Sequence, residues 1–214
     1  MNFHEHFDKI YYINLKHRTD RNNHMVNLLK NLDVPKNKIE RVEAFRTPKF
    51  GALGCAKSHL KAQLDAVRNN YNRVLILEDD FYFFDNQDAT AKITKFIAEN
   101  NDWDVLMFTA QTFNREESGI DNVDRIIEAF TASAYLINGH DYIKKVANSY
   151  RESVEWLQSL TSPPEFCHKC SDVHWRELQK VDKWYCFNPV LGKQLVNHSD
   201  TAGFVIDREE EKYQ

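Results

Sequence analysis

The sequence predicts an α/β protein, a mostly parallel sheet sandwiched by helices in a single domain. Three observations predict it. Short apolar runs rich in β-branched and aromatic residues alternate with segments whose apolar residues recur at helical spacing. The connections between them are short, which favours neighbouring strands joined by helical crossovers. The chain has 214 residues, enough for one substantial core.

Each element has its own signal. KIYYINL, residues 9–15, is a β-rich apolar run and reads as a buried first strand. In KHRTDRNNHMVNLLKNL, Thr19 or Asp20 can cap a helix whose apolar face is Met25, Leu28, Leu29 and Leu32. IERVEAF, residues 39–45, reads as a second strand. TPKFGALGCAKSHLKAQLDAVRNN opens with Pro48 and two glycines, then sets Leu60, Leu64 and Val67 at helical spacing, so a loop enters a helix there. RVLILED, residues 73–79, is the third and clearest strand.

DATAKITKFIAENND reads as a helix and WDVLMFTA as a fourth strand. Residues 111–124 are polar and contain Gly119, the pattern of a loop or loose hairpin. RIIEAFTASAYLIN is strand-like, GHDYIKKVANSYRESVEWLQSL is helical, TSPPEFCHKCSD is a Pro-containing loop and DVHWRELQKV a short helix. WYCFNPVLGKQL is a last strand interrupted by Pro189, which must sit at an edge or an end. The domain is expected to span residues 1–204, with residues 205–214 as a polar tail.

Composition narrows the function classes. The residues are 42% hydrophobic, 28% charged and 13% aromatic, an ordinary globular balance. Net charge is −4 and no Lys/Arg stripe forms, so the footprint of a nucleic-acid binder is missing. No apolar run approaches the ~20 residues of a membrane span, and the N-terminus lacks the pattern of a signal peptide. A lipid-linked substrate would be met at the membrane surface. Cys55, Cys167, Cys170 and Cys186 are too few for a disulfide scaffold and read as reduced thiols in the cytoplasm. Cys55 and Cys186 read as small buried hydrophobes. Cys167 and Cys170 with His168 and His174 invite a zinc site, but one C-x-x-C falls short of four ligands in register.

The chemistry is signalled by RVLILEDDFYFFD. Ligands of open α/β sheets gather at the carboxyl ends of strands, and Glu78, Asp79 and Asp80 stand at such an end. If the strand runs through Asp80, Glu78 and Asp80 share a face with Cα atoms ~7 Å apart, and Asp79 points away. Two carboxylates so placed can hold Mg²⁺ or Mn²⁺ together with a pyrophosphate. The plainer reading is that the acids terminate a strand. Arg18 and Arg21 follow the first strand on the same rim, suited to phosphate or to a solvated helix face. Gly51 and Gly54 allow close backbone approach at a helix start.

These patches together resemble glycosyltransferase family 25, the lipopolysaccharide and procollagen galactosyltransferase type. The residues that carry it are Ile13-Asn14-Leu15 with Arg18 and Arg21; Gly51, Gly54, Cys55, Ser58 and His59; and Leu77-Glu78-Asp79-Asp80. DWDVLMF, ASAYLINGHDYIKKV, Asp172 in CSDVHW, FNPVLGKQ and HSDTAG continue it, so it spans roughly residues 8–204. SPPEFCHKC has no counterpart.

The resemblance implies a GT-A-like, Rossmann-like fold and metal-dependent, inverting transfer of a hexose from a UDP-sugar, UDP-galactose or UDP-glucose, to a glycan, glycoprotein or lipid-linked acceptor. The small size is similar to bacterial or viral members. Implied donor contacts are Asn14, Leu15, Arg18, Arg21 and Ala44. Gly54, Lys57, Ser58, Glu78, Asp79 and Gln194 complete them. The implied Mn²⁺ or Mg²⁺ ligands are Asp80 and Glu78, with His198 from the C-terminal segment. Inversion needs a base for the acceptor hydroxyl, and Asp172, opening a short helix, is the candidate; otherwise it is that helix's N-cap. A sugar nucleotidyltransferase is disfavoured because NLKHRTDR lacks a Gly-rich loop. A non-catalytic nucleotide-sugar-binding module of the same fold is the other alternative.

Overall fold

The computed structural model describes residues 2–47, 50–163 and 167–195, and the backbone of 197–198 and 205–206. The strands are β1 (Lys9–Asn14), β2 (Ile39–Glu43), β3 (Arg73–Glu78), β4 (Phe81–Phe83), β5 (Val105–Met107), β6 (Gln111–Ile120), β7 (Val123–Phe130), β8 (Ala134–Asn138), β9 (Trp184–Phe187), β10 (Gly192–Gln194), β11 (Asn197–His198) and β12 (Val205–Ile206). The helices are α1 (Thr19–Asn31), α2 (Gly51–Arg68), α3 (Asn86–Glu99), α4 (His140–Ser159), α5 (Ser171–His174) and α6 (Arg176–Gln179).

Eight strands form one sheet in the order β2-β1-β3-β8-β5-β9-β7-β6. β1 pairs in parallel with β2 and β3, and β5 with β9. β8 and β7 run against their neighbours. β1, β2, β3, β5, β6 and β9 therefore share one direction, and the sheet is mixed but mostly co-directional. A two-stranded ribbon of β4 and β10 lies beyond the carboxyl end of β3.

Both faces of the sheet are covered, which is why its strands read as continuous apolar runs rather than alternating ones. Ile10, Tyr12, Leu75, Leu77, Leu106 and Leu136 pack on one side with Met25, Leu28 and Leu29 of α1 and Ile93, Phe96 and Ile97 of α3. Tyr11, Ile13, Val74, Ile76, Val105, Tyr135 and Ile137 pack on the other with α2 and α4. The period of two assigns every second residue to the opposite core.

Several expectations are corrected. Arg18, not Thr19 or Asp20, is the N-cap residue of α1. The buried face of α2 is Gly54, Ala56, Ser58, His59, Ala62, Gln63 and Ala66; Leu60 and Val67 are only partly buried beside it. Small residues let α2 lie close to α4 and the sheet, and its polar members serve the rim. Residues 111–124 form a true strand and turn: β6 pairs with β7, but as a mostly exposed edge its pattern is polar, and bulges break the register. The run 125–138 is two strands, because Thr131 turns at φ 84° between β7 and β8. DVHWRELQKV divides into α5 and α6. Cys167 and Cys170 stand side by side, their Cα atoms 5.2 Å apart, a spacing that a disulfide could span. Pro189 falls just past the end of β9, which is internal to the sheet.

Candidate functional site

The site is assembled at the carboxyl ends of β1 and β3. β3 ends at Glu78, the chain turns at Asp79 and Asp80, and β4 starts at Phe81. The strand does not run through Asp80, so the expected period-two division fails. Asp79 does not point away: its Oδ2 accepts from Asn14 Nδ2 at 2.6 Å, and its Oδ1 lies 3.0 Å from Arg21 Nη1. The same Arg21 nitrogen lies 3.0 Å from Asp80 Oδ2. Arg21 is buried, so the solvated-face reading does not hold for it. It comes from the first turns of α1, which β1 delivers to the rim.

Glu78 and Asp80 still act as a pair, through another residue. Gln194 Nε2 donates to Glu78 Oε2 at 2.8 Å and to Asp80 Oδ1 at 3.1 Å. β10 brings it there, its Gln194 registering with Phe81 and its Gly192 with Phe83. A Cβ on Gly192 would stand 2.1 Å from the Tyr82 carbonyl oxygen, so only glycine lets the ribbon close.

Burial pushes Asp79 upward from the ordinary carboxylate range against the pull of Arg21. Burial and the neighbouring Glu78 push Asp80 up to about 7. Asp79 and Asp80 thus share the Arg21 guanidinium, and Gln194 Oε1 is buried without a hydrogen-bond partner among the described residues. Three carboxylates gathered at one strand end offer the hard oxygen donors that suit a divalent cation such as Mn²⁺ or Mg²⁺.

Other predicted residues divide between rim and scaffold. Asn14 is fully buried; its Nδ2 also donates to the Arg18 carbonyl at 3.0 Å, and its Oδ1 accepts from Arg41 Nη2 at 2.6 Å. Arg18 is forked onto Asp20, at 3.1 and 2.9 Å. Leu15 is half-buried beyond β1, and the Ala44 amide donates to the Asn14 carbonyl at 3.0 Å. Gly54 does approach backbone closely, but the chain's own: a Cβ there would be 2.4 Å from the Phe45 carbonyl oxygen. Ser58 Oγ donates to the Gly54 carbonyl at 2.6 Å and accepts from the Phe45 amide at 2.9 Å. Gly54 and Ser58 therefore hold the loop after β2 against α2. Lys57 is half-exposed on α2. The side chain of His198 lies outside the described residues; its backbone pairs with Val205.

Asp172 is the second residue of α5, whose N-cap is Cys170, so it is not the cap. Its Oδ2 accepts from the Thr131 amide at 2.9 Å. Burial raises its pKa, and the charge of Glu78 raises it further, so it stands within electrostatic reach of the acid cluster.

Two further side chains of α2 reach Glu78. His59 is 1% exposed, with Nε2 3.3 Å from Glu78 Oε1 and Nδ1 2.9 Å from Tyr135 Oη. Cys55, expected as a buried hydrophobe, sets its thiol 3.8 Å from the same Oε1. Their i, i+4 spacing on a helix was the available signal. Arg41 had none beyond its place in a strand.

The sheet, its carboxyl-end acids and the arginine that bridges two of them place a polar site where open α/β sheets gather ligands. Comparison sharpens the class: the description "Glycosyltransferase family 25 (LPS biosynthesis protein)" matches residues 36–212. The chain belongs to glycosyltransferase family 25. It is 24% identical over 239 residues to a Drosophila melanogaster "Glycosyltransferase 25 family member", covering 95% of this chain and 38% of that protein. The chain thus spans well under half of that relative. Among solved structures it is similar to a mannose-1-phosphate geranyltransferase from Thermus thermophilus, with TM-score 0.49, 10% identity and coverage of 84% of this chain and 72% of the other. A glycosyltransferase involved in glycosylation of the major capsid of PBCV-1 aligns with TM-score 0.43 and 11% identity over 84% and 91%. Likenesses this loose carry no functional weight. Among the described residues, no helix is long and apolar enough to cross a membrane.

Proposed function

We propose that this chain is a metal-dependent, inverting hexosyltransferase. It would move galactose or glucose from a UDP-sugar to a hydroxyl of a glycan, glycoprotein or lipid-linked acceptor. The observation that carries the reading is the Glu78–Asp79–Asp80 cluster at the tip of β3, its two aspartates buried, tied by Arg21, Asn14 and Gln194 in a family 25 chain.

In this reading Asp80 and Glu78 hold the cation, with His198 as a further ligand. A bound Mn²⁺ or Mg²⁺ would supply Lewis-acid neutralisation of the departing nucleotide's charge. Asn14, Leu15 and Ala44 form the wall at the ends of β1 and β2 that receives the nucleoside. Arg18, Arg21 and Lys57 add positive charge at the phosphate end. Gly54 and Ser58 act through the loop they fix. Asp79 sets Arg21 and Asn14, and Gln194 spans the two ligands. Asp172 takes the proton of the acceptor hydroxyl as that oxygen attacks the anomeric carbon from the face opposite UDP. Half-buried and held by the Thr131 amide, its carboxylate has a fixed aim. The work would be cytoplasmic, at the membrane surface if the acceptor is lipid-linked.

The test is UDP release from each UDP-sugar with Mn²⁺, with and without chelator and an acceptor panel. Slow, chelator-sensitive hydrolysis of UDP-galactose or UDP-glucose that speeds with one acceptor is expected. Pyrophosphate-dependent UTP formation would mean a nucleotidyltransferase instead. Binding without turnover would mean a non-catalytic module.

A further inference from the structure

We propose that Cys55, His59 and the Oε1 side of Glu78 form a second metal site, of a softer kind than the donor site and suited to Zn²⁺. The ligand atoms all lie within 4.8 Å of one another. Cys55 and His59 are one turn apart on α2 and project from the same face, onto the tip of β3. Thiolate and imidazole with one carboxylate select zinc over the oxygen-loving Mn²⁺ and Mg²⁺.

The distances suit an ion as well as they suit long hydrogen bonds. His59 Nε2 and Glu78 Oε1 are 3.3 Å apart, longer than the ~2.7–2.9 Å of a charge-assisted hydrogen bond. Zinc bonds of ~2.0 Å to N and O and ~2.3 Å to S imply tetrahedral edges of ~3.3 Å (N to O) and ~3.5 Å (S to O). The observed edges are 3.3 and 3.8 Å. The outer partners fit as well. Tyr135 Oη, which accepts from Gln63 Nε2 at 3.1 Å, lies 2.9 Å from His59 Nδ1. If Nδ1–H donates to it, Nε2 presents a lone pair toward Glu78, the tautomer a metal requires. The rings of Tyr135 and Tyr150 stack against His59 and hold its plane.

Glu78 divides its oxygens: Oε2 meets Gln194 and Oε1 meets Cys55 and His59. Zinc binding would release the Cys55 thiol proton to solvent and form the Zn–S bond with no redox change. Its consequence is positional, since it would pin α2 to β3 and fix the oxygen that Glu78 turns to the donor side. Three protein ligands leave the fourth position to water. The site shares Glu78 with the proposed donor site but does not depend on glycosyl transfer.

The test uses the full chain, purified without chelator. Elemental analysis should find one zinc per chain that survives gel filtration. Replacement by Co²⁺ should give a thiolate charge-transfer band and intense tetrahedral d–d bands. Cys55→Ser should abolish the charge-transfer band, and both it and His59→Gln should weaken zinc binding about tenfold or more. Asp80→Asn should keep zinc and the cobalt spectrum while losing Mn²⁺-dependent donor binding, which separates this proposal from the proposed function. A wild-type cobalt spectrum without thiolate character, zinc binding indifferent to Cys55→Ser, or zinc lost in Asp80→Asn would each overturn it. The first of these needs no variant to fold.

Discussion

Arg21 is the residue on which the acid cluster most depends. One guanidinium nitrogen serves two buried carboxylates at 3.0 Å each. Removing a partner from a buried ion pair costs about 3–5 kcal/mol, because the charge left behind has no water to turn to. Arg21→Met should therefore lower the unfolding free energy by about that amount in urea titrations, while Arg18→Met, whose partner Asp20 is exposed, should cost well under half as much. Asp172 makes a second prediction. Burial holds its pKa above the ordinary range, and a base must be ionised, so transfer should fall as pH drops through that raised value. With Mn²⁺ saturating, so that Asp80 is held ionised, the acid limb of kcat/KM should stand above the usual aspartate range and be lost in Asp172→Asn. That variant should lose ~10²–10⁴-fold in rate while binding donor almost as before; wild-type turnover would remove Asp172 from its role. The acids and both arginines were legible in the sequence as residue types at a strand end. Which acid met which partner was not, because the strand stops at Glu78 and period-two geometry stops with it.

At the scale of elements, the β4–β10 ribbon fixes the site's roof. It depends on Gly192, where a methyl group would enter the Tyr82 carbonyl and the Phe81 ring, at 2.1 and 2.9 Å. Gly192→Ala should cost about 1–3 kcal/mol as overpacking, read as a fall in Tm, and should weaken donor binding by moving Gln194 off Glu78 and Asp80. Unchanged Tm and affinity would show that the ribbon yields freely. The ribbon escaped the sequence reading because FYF is only three residues and its partner lies beyond Pro189. The strand character of β6 was hidden for a different reason: a mostly exposed edge strand needs no alternation, and along the irregular β6–β7 pair the buried residues of β7, Val123, Ile126 and Ala129, fall at intervals of three. β1, β3 and β5 were easy because burial on both faces leaves an unbroken apolar run.

For the molecule as a whole, the shared direction of β1 and β3 brings residues distant in sequence to one rim. Asn14 and Asp79 are 65 positions apart, and Gln194 and Glu78 are 116 apart. That convergence follows from chain direction, which is why the rim could be expected from strand order alone. The pairing of β8 against β3 could not, since antiparallel insertion leaves no mark on an apolar run. The state of Cys167 and Cys170 was likewise not legible, a separation of three residues being compatible with thiols, metal or bridge. The proposed metal-dependent nucleotide-sugar site at the tip of β3 is tested most directly by calorimetric titration of UDP into wild type, Asp80→Asn and Asp79→Asn, each with Mn²⁺ and with chelator. Mn²⁺-dependent binding is expected in wild type, with its loss in Asp80→Asn and a smaller weakening in Asp79→Asn. Binding that ignores chelator, or equal small effects of the two substitutions, would contradict it.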